Sequence, residues 1–121
     1  MAYYARFYSE LPTSFLVARR ASIGEIRRFD TIVDARRYGA KLLSGKHYKN
    51  GVVMIYSKNV DNYLYAINDP LSNPDLLGYV SWNEGMGWNY WSIPDTKNKF
   101  TKETYFRSRP IYKNGKLAGR F

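Results

Sequence analysis

The chain has 121 residues and a mass of 14.2 kDa, enough for one domain with its own core over residues 1–121. Hydrophobic residues at 45% and charged residues at 24% exclude wholesale disorder, and the absence of cysteine excludes disulfides, thiolate metal sites and cysteine nucleophiles together. The net charge of +9 is uneven: residues 1–60 carry 11 basic against 4 acidic side chains, residues 61–95 carry five acids and no Lys or Arg, and residues 96–121 carry eight basic residues and one acid.

The N-terminus, MAYYARFYSELPTSFLVARR, contains an apolar run of only five residues and no small-residue cleavage pattern. No window approaches the roughly 20 apolar residues that a membrane span needs. The expectation is a cytoplasmic protein with no membrane partner. "YYARFYS" and "SFLVARR" both read as strands, and "GEIRRF" reads as a third that leads into a helix. That helix is the clearest element. In "FDTIVDARRYGAKLLSG", Thr31 and Asp34 stand at capping-box spacing, with Asp30 as an alternative cap. Ile32, Ala35, Gly39, Leu42 and Leu43 recur at helical spacing, Tyr38 borders the stripe, and Gly45 is a natural stop, so the helix is placed at 31–44.

After the "KHYKNG" turn, "GVVMIYSK", "NYLYAIN", "LLGYVSW", "GWNYWSI", "TYFRSRPIY" and "KLAGRF" all read as strands. Asn114-Gly115 joins the last two as a tight hairpin, and Pro110 marks an edge position or a bulge. The predicted class is α+β: one helix packed on a mainly antiparallel sheet of six to eight strands. The strand–strand–helix–strand order around 14–58, with its "FDTIVDARRYGAKLL" helix, is similar to small units found in many short phage and Gram-positive proteins.

All three tryptophans, Trp82, Trp88 and Trp91, fall within ten positions, flanked by Tyr79 and Tyr90. Two strands joined at residues 83–87 allow two registers, because a one-residue slip turns every side chain over. If Trp82 opposes Trp88, then Val80, Trp82, Trp88 and Tyr90 share one face, and Tyr79, Ser81, Asn89 and Trp91 the other. If Asn83 opposes Trp88, then Tyr79, Ser81, Trp88 and Tyr90 form an amphipathic aromatic face. The latter makes Tyr79, Trp88 and Tyr90 the candidate aromatic contacts; the competing role is core packing and cross-strand pairing. Groove lysines and arginines for a nucleic acid must come from elsewhere in the fold, since none lies between 61 and 95.

Two basic groups qualify. Arg20, Arg27, Arg28, Arg37 and Lys41 belong to the first strands and the helix; Arg107, Arg109, Lys113, Lys116 and Arg120 belong to the C-terminal hairpin. Either group suits phosphates or an acidic protein surface. A single histidine, His47, and no cysteine argue against a transition-metal cage, and no phosphate-binding glycine loop or nucleophile elbow is present. No cofactor and no catalytic residue is expected; a metal-independent nuclease using His47 is the weakest of the readings.

In size, basicity, aromatic content and lack of cysteine, the chain resembles phage-encoded accessory proteins, anti-CRISPR and other counter-defence inhibitors among them. That resemblance implies a small non-catalytic binding protein in the host cytoplasm, acting by steric occupation of a host protein that handles nucleic acid. The alternative is a module that binds DNA or RNA directly through a basic face and the aromatic hairpin. A homo-oligomer formed through an exposed sheet edge is a further option.

Overall fold

The computed structural model describes residues 1–12, 15–60, 73–84 and 87–92, together with the backbone of 107–113 and 116–120. Its elements run β1 (Tyr3–Tyr8), α1 (Phe15–Arg20), β2 (Arg27–Phe29), α2 (Ile32–Leu43), β3 (Val52–Tyr56), β4 (Leu76–Asn83), β5 (Gly87–Ser92), β6 (Arg107–Lys113) and β7 (Lys116–Arg120). The class is α+β. β2, β1, β3, β4 and β5 form an antiparallel sheet in that order, and the backbones of β6 and β7 continue it beyond β5.

The helix α2, Ile32–Leu43, lies one residue inside each predicted limit, and Thr31 is its cap as predicted. Thr31 adopts an extended conformation, and its Oγ1 accepts a hydrogen bond from the Asp34 backbone N–H at 3.1 Å, satisfying one of the donors that a helix start leaves open. Ser44 closes the other end, donating its N–H to Ala40 and its hydroxyl to the Lys41 carbonyl. Ala35, Gly39, Ala40 and Leu43 face the sheet. Gly39 sets the depth of that contact: a Cβ there would lie 3.0 Å from Val80 Cγ2 and 3.3 Å from Val53 Cβ. The backbone of α2 therefore rests almost directly on the two central strands.

β3 is buried along its whole length, because both faces of the sheet are covered. Strand alternation sends Ala5, Val53, Ile55, Val80 and Tyr90 under α2, with Tyr3, Phe7, Phe29 and Trp88 packed around them. Tyr8, Val52, Met54, Tyr56, Leu76 and Tyr79 face the opposite way. Leu11, Ile23 and Ile26, from the segment between β1 and β2, pack on that second layer along with Val60. This second layer is tyrosine-rich and polar at its centre. The Tyr8 and Tyr56 hydroxyls lie 3.1 Å apart, the Tyr56 hydroxyl also reaches the Met54 sulfur at 3.5 Å, and Arg6 is buried on the same side of β1.

Three expectations change. "SFLVARR" is not a strand: Phe15–Arg20 is the short helix α1, so there are two helices among the described residues. A four-residue apolar run does not distinguish strand from helix, and here Leu, Ala and Arg, good helix formers, decide it, with the Ala21 N–H closing a turn on the Val17 carbonyl. "GEIRRF" supplies only the three residues of β2, and its partner is β1, not the preceding segment. The hairpin expected before α2 is thus a pairing of β1 with β2 across α1. "NYLYAIN" lies outside the described residues. At the C-terminus, β6 and β7 pair antiparallel up to Lys113 and Lys116, as the Asn-Gly signal implies, and the register shifts between Ile111 and Tyr112, one residue past Pro110.

Two outcomes follow. Gly39→Val adds side-chain atoms where Val53 and Val80 leave no room, and should destabilise the fold by about 1–3 kcal/mol in urea unfolding, whereas Gly39→Ala should be close to neutral because a modest clash is offset by about 1 kcal/mol of helix propensity. An unchanged Gly39→Val midpoint would show that α2 is not seated on the sheet. Second, burial pushes the Tyr79 phenol up to about 12, and burial together with the Tyr8 hydroxyl raises Tyr56 well above its ordinary 10.0. A neutral phenol with a raised folded pKa contributes its full stability below pH 10.0, the unfolded value, and loses it as pH climbs toward the folded one. Tyr79 should then account for about 2–3 kcal/mol of lost stability between pH 10 and 12, and the loss should be smaller in Tyr79→Phe. Urea midpoints across that range, compared between the two proteins, measure it.

Candidate functional site

β4 and β5 pair with Trp82 opposite Trp88, Val80 opposite Tyr90 and Tyr79 opposite Trp91, which selects the first of the two registers. Val80, Trp82, Trp88 and Tyr90 therefore lie on the α2 side of the sheet. Tyr79, Ser81, Asn89 and Trp91 lie on the other side, where the Trp91 Nε1–H donates to the Ser81 Oγ at 2.9 Å. The amphipathic face of Tyr79, Ser81, Trp88 and Tyr90 does not exist.

Two of the three aromatic contacts expected from the sequence are consequently core residues. Tyr90 is 1% exposed and Tyr79 9% exposed. Tyr90 is held down because Gly78, its diagonal neighbour on β4, has no side chain: a Cβ there would come within 2.5 Å of the Tyr90 ring and hydroxyl. The ring lies across that gap, and the Arg36 guanidinium stacks above it, 4.1 Å from the ring centre. Trp88 alone of the three is half-buried rather than buried, packed against the α2-side core.

Trp88 has a partner that sequence reasoning left out of the set. Trp82, opposite it and also half-buried, meets it edge-to-face with ring centres 4.8 Å apart and planes at 64°. Lys49, from the turn between α2 and β3, places its ammonium 4.8 Å over the Trp82 ring. On the α2 side of the sheet Lys49 thus covers Trp82, Trp82 meets Trp88, and Arg36 covers Tyr90, which shares its face of β5 with Trp88. Contacts of this kind contribute about 0.5–1 kcal/mol each at exposed positions and more where desolvated. The cations that the aromatic hairpin lacks in its own sequence arrive from α2 and its following turn. Arg36 and Lys49 were both missed. Arg36 lies on the flank of the helix that faces β5, and the short turn before β3 brings Lys49 to the end of β4.

The basic residues predicted from the sequence divide by position. Arg37 and Lys41 are exposed on the outer surface of α2, with no ion pair among the described residues. Arg27, on the edge strand β2, sits 5.2 Å from the centre of the Tyr38 ring on the opposite flank of α2. Arg28, beside it, pairs with Asp30 at 3.1 Å, and Arg20, at the end of α1, pairs with Glu10 at 2.7 Å. Those two charges are locally compensated, although exposed pairs of this sort are weak. Arg107 and Arg109 occupy β6 positions paired with Ser92 and Tyr90, so the C-terminal strands adjoin the aromatic hairpin within the sheet. Lys113, Lys116 and Arg120 fall further along β6 and β7.

The structure therefore places Lys49 over Trp82 and Arg36 over Tyr90, leaves Arg37 and Lys41 exposed on the outer surface of α2, and pairs Arg20 and Arg28 with acids elsewhere. From residue 35 to residue 60 the chain carries six basic residues and no acid, so the charge along α2 beyond its first turn, which holds Asp34, and along the turn after it is basic. His47 is exposed in that same turn. Among the described residues no three His, Cys, Asp or Glu side chains gather as a metal site would require, and no helix is long and apolar enough to cross a membrane. Compared with protein-family models, with curated proteins and with solved structures, the chain gives no significant match to any.

Proposed function

We propose that the chain is a small non-catalytic binding protein that acts by steric occupation of a host protein that handles nucleic acid, in the manner of phage-encoded counter-defence inhibitors. The observation that supports this reading best is the α2 side: Arg37 and Lys41 stand exposed on the helix, Lys49 lies over the half-buried Trp82, and Arg36 lies over Tyr90. A rigid helix on a sheet holds these groups at fixed spacing, which suits a surface that covers a partner. A predominantly basic surface, edged by large aromatics, complements the acidic groove or bound nucleic acid of such a protein. It needs no cofactor and no catalytic group to block access.

Direct binding of DNA or RNA is the second reading, favoured by one observation: Lys49 lies against Trp82, so a cation and a stacking ring occur together.

The test is inhibition. The protein is added to purified host complexes that carry nucleic acid, such as a guide-loaded nuclease, a repair nuclease and RNA polymerase, and their rates are followed. At least one should slow, and the combined variant Arg37→Glu, Lys41→Glu should weaken that inhibition on the order of tenfold while unfolding at the same temperature, since both residues are exposed. Unimpaired activity of every complex at saturating protein would overturn the reading.

A further inference from the structure

We infer that the Trp82–Trp88 corner is a stacking site for one unpaired nucleobase of a single-stranded nucleic acid, with Lys49 and Lys46 meeting the adjoining phosphates. This rests on the reading above, in which the α2 side meets nucleic acid or a protein carrying it, and says what that side recognises.

The two indoles are held edge-to-face, so their orientation is fixed before any ligand arrives. Both remain half-buried at the end of the β4–β5 hairpin, while Val80 and Tyr90 on the same side of the sheet are fully buried. The ring of Trp82 is covered by the ammonium of Lys49, an exposed and flexible side chain carried on a turn. Such a cover can be exchanged. A nucleobase stacked on an aromatic ring is held more strongly than a solvated cation over it, so a base displaces the lysine. The displaced ammonium stays beside the ring, where the phosphate of that same nucleotide needs a counter-charge. Lys46 is exposed three residues earlier in the same turn.

Charge complementarity points the same way. Residues 35–60 carry six basic side chains and no acid, and Glu84 is the one acid on the hairpin between Leu76 and Ser92. An acidic protein surface would meet these lysines equally well but has no need of an indole face. Paired bases in a duplex offer no free face to stack. The ring therefore selects an unpaired base.

The three tryptophans all lie on this hairpin, so intrinsic fluorescence reports it. The probes are an oligothymidylate of about ten nucleotides, the corresponding oligouridylate, a duplex, inorganic polyphosphate and an acidic peptide. The single strands should quench the fluorescence; polyphosphate should bind without quenching. Trp82→Ala should weaken the single strands at least about fivefold and leave polyphosphate binding and the far-UV circular dichroism unchanged. Trp82→Phe should retain most of the affinity, and Lys49→Ala should reduce the salt slope for a single strand by about 0.7.

Single strands bound equally well by Trp82→Ala would overturn the stacking site, as would equal quenching by polyphosphate or by the acidic peptide. If host complexes are inhibited but no single strand quenches the wild type, the stacking site is wrong and the binding-protein reading stands. If single strands quench but no host complex is inhibited, the site stands as a direct nucleic-acid contact and steric inhibition is wrong.

Discussion

The close seating of α2 on β3 and β4 is the constraint on which the remainder depends. With Gly39 against Val53 and Val80, the helix axis approaches the sheet as near as backbone allows, and its two flanks are then committed. Tyr38 must turn toward β2, where it meets Phe29 and Arg27, and Arg36 must turn toward β5, where it covers Tyr90. A helix one side chain higher would leave both flanks short of their partners. The same seating fixes where α2 ends, and hence where the following turn delivers Lys49. Core packing and the placement of the charged surface are one arrangement here.

Much of this was legible in the chain itself, for identifiable reasons. The limits of α2 were readable because Thr31 and Asp34 announce a cap and because Ile32, Ala35, Gly39 and Leu43 repeat at helical spacing. The later strands were readable from alternating aromatics bounded by turn residues. α1 was not, since Phe15–Arg20 is too short to display a period and its apolar content suits strand or helix equally. The register of β4 on β5 was not legible either. Turn length fixes it, and residues 83–87 admit two alignments that differ by a single step.

That one step decided the candidate site. It converted Tyr79 and Tyr90 from displayed rings to core, and it joined Trp82 to Trp88 on the side that α2 borders. The supply of cations was invisible for a different reason. Lys49 is more than thirty positions from Trp82, and nothing in their local sequences links them; only the pairing of β3 with β4 carries the turn to the end of the hairpin. Arg36 was overlooked beside Arg37 because two adjacent arginines on a helix look alike until the direction of its neighbouring strands is known. One reaches over Tyr90, and the other faces outward.

The position of β1 between β2 and β3 bears on how the molecule assembles. β1 is the earliest strand in the chain, yet its inner neighbour begins at Val52 and its outer neighbour at Arg27. Neither edge of β1 can be satisfied by the residues that immediately follow it, so its backbone groups wait through α1, β2 and α2 for the strand that completes them. Pairing across such a span closes a long loop before any contact rewards it, which slows the search compared with a hairpin. β4 and β5, by contrast, join across a short turn. The pairing of β1 with β3 thus carries a loop-closure cost that the β4–β5 pairing does not.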